Sequence, residues 1–257
     1  MLIHFYKYQG TGNDFIMIDN RTERIDPKNE RLIRFLCDRR FGIGGDGLIL
    51  LEDHTNYDFK MVYFNSDGRQ SSMCGNGGRC IVQFASDLRV INDKASFIAI
   101  DGEHDAFLKD GLVHLKMIDV AEVEKNKDHY FLDTGSPHYV QFVNDIDSYP
   151  VYENGKKIRY NNRFKEKGTN VNFVEKTSPA SLTVRTYERG VENETFSCGT
   201  GVTASAIAAS SEGTSIPVKI KTLGGELSVS FEKEENLYKN IYLIGSAVQV
   251  FKGEIKV

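Results

Sequence analysis

Apolar residues recur along the chain in short runs, and these runs predict many strands with two conspicuous helices. IHFYKYQ (3–9), FIMID (15–19), LILLE (48–52) and FKMVYF (59–64) read as strands. Between the second and third of these, Asp26-Pro27 is expected to open a helix, with Asp as N-cap and Pro at the first helical position. Leu32, Phe35, Leu36 and Arg39 would then form its stripe at helical spacing. SFIAI (96–100), AFLKD (106–110) and LVHLKM (112–117) read as a meander, with Asp110-Gly111 suited to a type I′ turn. After Cys74, the residues Ile81, Phe84, Ala85 and Leu88 fall on one helical face. After Cys198, GVTASAIAASSE reads as a helix of small residues ending at Gly213, a good C′ residue. A helix small on every side suits enclosure by its own sheet.

The order of these elements repeats. Gly12-Asn13-Asp14-Phe15 has its counterpart in Gly135-Ser136-Pro137-His138-Tyr139, and Gly45-Asp46-Gly47-Leu48 in Gly168-Thr169-Asn170-Val171, both at an offset of 123 residues. Cys74-Gly75-Asn76-Gly77 matches Cys198-Gly199-Thr200-Gly201 at an offset of 124. Three pairings in order at nearly one offset argue against the alternative of a single mixed domain with accidental glycine-rich similarity. The expected fold is α/β in the α+β sense: two pseudo-symmetric halves, each a curled, mostly antiparallel sheet around a central helix. The first half covers 1–117 and carries Cys74, the second covers 118–247 and carries Cys198, and the last strand, 248–257, returns to complete the first.

Composition narrows the function. Of 257 residues, 40% are hydrophobic and 26% charged, which fits a soluble globular protein rather than a disordered one. The net charge is −4 and the basic residues are dispersed, so neither nucleic acid nor an anionic membrane is an expected partner. MLIHFYKYQGTGNDF lacks the pattern of a signal peptide, and no apolar run approaches the roughly 20 residues of a membrane span. A cytoplasmic location follows as the expectation, with thiols kept reduced. The cysteines at 37, 74, 80 and 198 have no zinc-ligand spacing, so no metal is expected.

Two of those cysteines carry the candidate chemistry. A cysteine just before a helix faces unpaired backbone N–H groups and the positive end of the helix dipole. That setting favours thiolate over thiol. The same N–H groups bind carboxylate, and the glycines beside Cys74 and Cys198 clear the approach. Inverting a stereocentre through a planar carbanion takes one base to remove the proton and one acid to return it from the other side. Two matched halves facing each other across a cleft would supply such a pair, one sulfur as thiolate and the other as thiol. A lone cysteine is more often a small buried hydrophobe, and Cys37 and Cys80 are read that way.

GTGNDFIMID (10–19), FGIGGDGLILLE (41–52), FNSDG (64–68), MCGNGGRC (73–80), GTNVNFVE (168–175), YERG (187–190) and SCGTG (197–201) together resemble the diaminopimelate epimerase family over nearly the whole chain. The resemblance implies interconversion of LL- and meso-diaminopimelate, with neither pyridoxal phosphate nor metal, in lysine and peptidoglycan precursor synthesis. It also implies a homodimer. Cys74 and Cys198 then match the acid and base. Gly75, Asn76, Gly199 and Thr200 match the cradle of the reacting carboxylate, and Asn13, Asn65 and Asn170 the substrate-binding asparagines. Glu188 and Arg189 match the pair that recognises the distal amino-acid group, while His138 and Glu188 match positions that tune the cysteines. Two residues depart from the pattern: Ser136 stands where many members have Asn, and Gly47 where some have Gln.

Gly42-Ile43-Gly44-Gly45-Asp46-Gly47 satisfies GxGxxG, but a dinucleotide site needs a strand before the motif and a helix after it. Here the order is reversed. The competing enzyme is a two-cysteine racemase of proline or hydroxyproline, which has no use for a Glu188-Arg189 pair. A binding protein on the same scaffold would not need two matched CGxG segments.

Overall fold

In the computed structural model, which describes residues 1–257, the chain divides into two compact units, Met1–Leu115 with Ser246–Val257, and Lys116–Gly245. The first unit begins with β1 (Leu2–Gly10) and β2 (Asn13–Asp19), then α1 (Asn20–Glu23), α2 (Glu30–Cys37), β3 (Gly47–Glu52), β4 (Phe59–Asn65) and the short β5 (Gln70–Ser71). The long helix α3 (Gly75–Asp87) leads into β6 (Lys94–Ala99), β7 (Gly102–Lys109) and β8 (Leu112–Lys116). In the second unit β9 (Val123–Lys125), β10 (Tyr130–Asp133) and β11 (Pro137–Phe142) precede α4 (Val151–Arg159). Then come β12 (Asn170–Ser178), β13 (Ser181–Glu188) and β14 (Asn193–Thr195). Helix α5 (Gly199–Ser210) is followed by β15 (Val218–Thr222), β16 (Gly225–Glu234) and β17 (Leu237–Gly245). The last strand, β18 (Val248–Lys256), lies antiparallel to β1.

The two sheets have one topology. In the first, β2 pairs parallel with β3, β3 antiparallel with β4, and β4 parallel with β6, which opens the hairpin β6–β7. In the second, β11, β12, β13, β15 and β16 do the same. The register repeats with the order. Phe15 stands opposite Gly47 and His138 opposite Asn170; Phe59 stands opposite Phe97 and Leu182 opposite Ile220; Ala99 meets Gly102 and Thr222 meets Gly225. Every one of these pairs is displaced by 123 residues, so the repeat read from glycines and cysteines extends to backbone pairing.

The parallel pairs are buried on both faces, which explains why FIMI and LILL are apolar without alternation. Ile16, Ile18, Leu48 and Leu50 pack with Ile33, Leu36 and Cys37 of α2. On the other side the sheet curls around α3, where Ile81, Val82, Phe84 and Ala85 are fully buried. In the second unit Val171 and Phe173 pack with Val151 of α4, and Val202 through Ala209 of α5 are enclosed. Alanine, serine and glycine keep α5 slim enough for sheet on all sides.

Three local expectations need correction. Asp26-Pro27 opens no helix: Asn29 N–H donates to Asp26 O at 3.0 Å, so Pro27 sits in the second position of a turn, where its fixed φ serves equally well. Helix α2 starts three residues later, capped by Asn29, whose Oδ1 accepts from Leu32 N–H at 3.1 Å. Its buried stripe is Ile33, Leu36 and Cys37, while Phe35 and Arg39 face solvent. The helix after Cys198 ends at Ser210 with Ser211 as cap, so Gly213, at φ +79°, lies beyond the C′ residue. The Asp110-Gly111 turn has φ of 53° and 73°, the two positive values a type I′ turn needs.

Candidate active site

In each unit the chain leaves a short strand, turns through a cysteine in extended conformation, and enters the central helix. Cys74, at φ −107° and ψ 149°, is the N-cap of α3. Its Sγ accepts a hydrogen bond from Gly77 N–H at 3.2 Å, a capping bond in which sulfur takes the place of the usual oxygen. Cys198, at φ −122° and ψ 111°, is the N-cap of α5. Its Sγ makes no capping bond to the helix backbone and lies 3.5 Å from Thr200 Oγ1. Cys74 is half-buried and Cys198 buried.

Around Cys74 the polar residues form a connected set. Asn76 Nδ2 donates to Asn13 Oδ1 at 3.3 Å, and Asn13 Nδ2 donates to Asp46 Oδ2 at 2.7 Å. Asp46 is held by Arg39, which also clamps Asp14 with two hydrogen bonds of 2.9 and 2.6 Å. Buried Lys7 completes the cluster, 2.7 Å from Asp14 and bonded to the carbonyl of Gly44. Burial alone would raise the Asp14 pKa, but the bonds from Arg39 and Lys7 hold it well below the usual carboxylate range. The loop 42–47 thus follows helix α2 and precedes strand β3, and its job is to anchor Asn13. Asn65 ends β4 opposite Gly47, with its side chain exposed. A Cβ on Gly47 would lie 2.5 Å from Phe64 O and 2.6 Å from the Tyr63 ring, so Tyr63 occupies the space that a longer side chain there would need.

Around Cys198 the pattern is parallel but the residues differ. Asn170 Nδ2 donates to Ser136 Oγ at 2.9 Å and to Pro137 O at 3.1 Å, and its Oδ1 accepts the Arg189 N–H at 2.9 Å. The exposed guanidinium of Arg189 reaches Ser136 Oγ and Lys167 O, each at 3.1 Å. Glu188, half-buried, accepts from Thr195 Oγ1 at 2.8 Å. Thr134 Oγ1 donates to the carbonyl of Thr200 at 2.9 Å, fixing the first turn of α5. His138 is fully buried; burial, with the nearby charge of Arg189, lowers its pKa to about 3.

Within the first unit, the structure gathers Asn13, Asn76, Gly75 and Cys74 by hydrogen bonds and sequence, and leaves Asn65 at the strand end. Within the second, it gathers Asn170, Arg189, Ser136 and His138 near the start of α5. Sequence reasoning missed Arg79, Asp46 and Asn172. Arg79 is fully buried beneath Asn76, and Asn172 Nδ2 bonds both His138 Nδ1 and Tyr139 O, at 3.0 and 3.1 Å. The signal for Asn172 was present: it follows Asn170 by two residues in a core strand, on the same face. No group of three His, Cys, Asp or Glu side chains is placed to hold a metal ion, and no helix is long and apolar enough to cross a membrane.

Comparison with known proteins agrees with the motifs. The diaminopimelate epimerase family model matches residues 5–107 and 130–250. A diaminopimelate epimerase from Flavobacterium psychrophilum is 54% identical over 253 residues, covering 97% of this chain and 99% of its own. Solved structures share the fold at low identity. A PhzF-family phenazine biosynthesis protein from Bacillus anthracis superposes with a TM-score of 0.76 at 13% identity, covering all of both chains. A hydroxyproline epimerase from Agrobacterium vitis gives 0.70 at 11%, covering 99% of this chain and 92% of the other. The architecture is therefore shared with proteins of distant sequence, whereas the sequence kinship is narrower: this chain belongs to the diaminopimelate epimerase family.

Proposed function

We propose that the protein interconverts LL- and meso-diaminopimelate by moving the α-proton between two sulfurs, Cys74 and Cys198, with no cofactor or metal. The observation that carries this reading is the repeated placement of a cysteine as N-cap of an enclosed helix, at the same point of two matched sheets. In each direction one cysteine, as thiolate, takes the proton, and the other, as thiol, supplies a proton to the opposite face of the planar carbanion. Atoms balance: one S–H forms as the other breaks. Gly75 and Asn76 at the start of α3, with Gly199 and Thr200 at the start of α5, hold the reacting carboxylate on backbone N–H groups. The positive helix ends then stabilise negative charge as it spreads into that carboxylate.

In this reading Asn13, Asn65 and Asn170 bind substrate through neutral amides, which can face ammonium with oxygen and carboxylate with nitrogen. Arg189 takes the distal carboxylate and Glu188 the distal ammonium. His138 and Glu188 tune the cysteines. The Asp46-Asn13 and Ser136-Arg189 bonds support the assignment, since each holds a binding side chain in one orientation. A proline racemase would have no second charged end to bind, so the Glu188-Arg189 pair and the family membership favour diaminopimelate. The enzyme works as a homodimer in the cytoplasm, in the synthesis of lysine and peptidoglycan precursors. Val248, Val250 and Phe251 on β18 are exposed apolar side chains suited to a second copy.

The test is an epimerisation assay with LL-diaminopimelate beside L-proline, with no cofactor added, on wild type and on Cys74→Ser and Cys198→Ser. Turnover of diaminopimelate alone, lost in both variants, supports the reading. Turnover of proline, or wild-type rates in both variants, overturns it.

A further inference from the structure

The first unit contains a charge with no acid to answer it. Arg79, in the second turn of α3, is fully buried. Its Nη1 donates to Gly75 O at 3.2 Å, and its Nη2 to Thr11 Oγ1 at 2.9 Å and Asn76 Oδ1 at 3.1 Å, while Nε has no partner. All of these acceptors are neutral. Gly10 allows the arrangement, because a Cβ there would come within 3.2 Å of Nη2. A buried guanidinium without a carboxylate is unfavourable unless something compensates it. Burial lowers the Arg79 pKa to about 10, and the charges that oppose this are the sulfurs of Cys80 and Cys74. Cys80 cannot answer it as thiolate, since its own burial pushes that thiol up to about 12.

The second unit has no equivalent. At an offset of 124 the residue is Thr203, buried, neutral, and bonded through Oγ1 to Gly199 O at 3.0 Å. It fills the place of the Arg79 Nη1 bond and brings no charge. Near the start of α5, His138 is kept neutral by burial, Glu188 and Arg189 are of opposite sign, and Asp133 at the end of β10 accepts the Gly135 N–H at 2.8 Å. At the corresponding end of the first sheet, Lys7 and Arg39 are matched by Asp14 and Asp46. Asp101, paired with His104, accepts the N–H of Met73 at 3.3 Å and opposes a thiolate at the next residue. The Gly77 N–H bond to Cys74 Sγ favours one.

We propose that Arg79 is a positioning residue that makes Cys74, rather than Cys198, the thiolate of the resting enzyme, by a buried positive charge that only the first of the two repeats carries. This rests on the two-sulfur reading above. Arg79 also holds Asn76 by its Oδ1 and Gly75 by its carbonyl, so the same side chain sets the carboxylate cradle and the charge state of the sulfur beside it. Substrate of the configuration that presents its proton to Cys74 then meets a ready base. The opposite isomer must wait for the proton to pass from Cys198 to Cys74.

The test is the pH dependence of alkylation by iodoacetamide in the wild-type protein, with each cysteine quantified by peptide mass spectrometry. Cys74 should titrate at least about one pH unit below Cys198, a tenfold difference in thiolate fraction on the lower limb. Coincident or reversed midpoints overturn the proposal, with no variant needed. In Arg79→Met the Cys74 midpoint should rise by about one unit or more while that of Cys198 stays put, and Arg79→Lys should restore it. A folded Arg79→Met protein with an unmoved Cys74 midpoint also overturns it. Loss of turnover in both cysteine variants together with reversed midpoints would remove the role of Arg79 and leave the two-sulfur mechanism standing. Full turnover in both cysteine variants would instead remove the mechanism itself.

Discussion

Asn172 Nδ2 donates to His138 Nδ1 at 3.0 Å, and this bond fixes the tautomer of the histidine. The amide cannot be turned round, because the same Nδ2 faces the carbonyl of Tyr139 at 3.1 Å and Oδ1 accepts from Thr186 Oγ1 at 2.9 Å. Nδ1 is therefore an acceptor and the ring proton lies on Nε2. His138 is a neutral ring, not a cation, and its buried Nε2–H has no partner in the structure.

Its titration should be visible as stability. The folded pKa, about 3, lies below the ordinary value of 6.5. The unfolded chain then binds the proton more readily, so this contribution is complete above about pH 6.5 and declines as pH falls towards 3, by up to about 1.4 kcal/mol per unit. Denaturant unfolding between pH 7 and 4 measures the slope, and in His138→Gln the slope should be shallower. NMR of the imidazole should show no protonation of the folded form near pH 6.

Gly201 and Gly77 occupy the same place in the two helices, but alanine should affect them differently. A Cβ at Gly201 would lie 2.3 Å from Asn172 Oδ1 and 3.3 Å from His138 Cε1, both in groups held by hydrogen bonds. Gly201→Ala is expected to cost about 2–3 kcal/mol through overpacking. At Gly77 the nearest atoms are Cys74 Sγ, which accepts the Gly77 N–H, and Ile49 Cδ1, each at 3.2 Å, so a shift of a few tenths of an ångström makes room. Gly77→Ala should keep most of the melting temperature, since alanine favours the helix by about 1 kcal/mol, yet lose activity because the sulfur must shift. Thermal melts beside epimerase assays separate the two cases.

The Lys7, Asp14, Arg39 and Asp46 cluster ties strand β1, the start of β2 and the 42–47 loop into one support for Asn13. Removing the Asp14 charge leaves Lys7 buried and unpaired, so Asp14→Asn should destabilise by about 3 kcal/mol. The depressed pKa of Asp14 means that its contribution is present above the ordinary carboxylate range and is lost as pH falls below about 4. Urea unfolding of wild type and Asp14→Asn at pH 7 and pH 3 should show a difference at the higher pH that narrows at the lower.

Glycine and cysteine spacing carried the repeat, because both residues mark backbone events that side-chain drift cannot erase: a positive φ, a helix start, a close approach. The central helices were legible for the same reason. Asp26-Pro27 misled, since the dipeptide suits a helix start and a turn equally, and only the bond from Asn29 N–H to Asp26 O distinguishes them. Arg79 was hidden by type. An arginine five residues after Cys74 reads as solvent-facing, and nothing in the string says that α3 is enclosed on that side by Gly10 and Thr11. Ser136 was visible only as a departure from the family pattern; that its hydroxyl joins Asn170 to Arg189 depends on the fold.

That junction makes the last prediction. Ser136 Oγ accepts from Asn170 Nδ2 at 2.9 Å and from Arg189 Nη2 at 3.1 Å, so it aims both of the side chains proposed to bind substrate without being large enough to replace an asparagine amide. Arg189 is exposed and its guanidinium keeps one other hold, the carbonyl of Lys167 at 3.1 Å. Ser136 is half-buried, and Ser136→Ala should cost about 0.5–1.5 kcal/mol, the net contribution of a neutral hydrogen bond. It should raise KM for diaminopimelate by about fivefold, the equivalent of one neutral hydrogen bond. Arg189→Ala should raise KM by about 10- to 150-fold, since hydrogen bonds to charged groups contribute about 1.5–3 kcal/mol. In both variants alkylation of Cys74 should follow the wild-type pH profile. Steady-state kinetics decide the matter: an unchanged KM in Arg189→Ala would mean that another residue binds the distal carboxylate, and a larger effect from Ser136→Ala than from Arg189→Ala would mean that Ser136 touches the substrate itself.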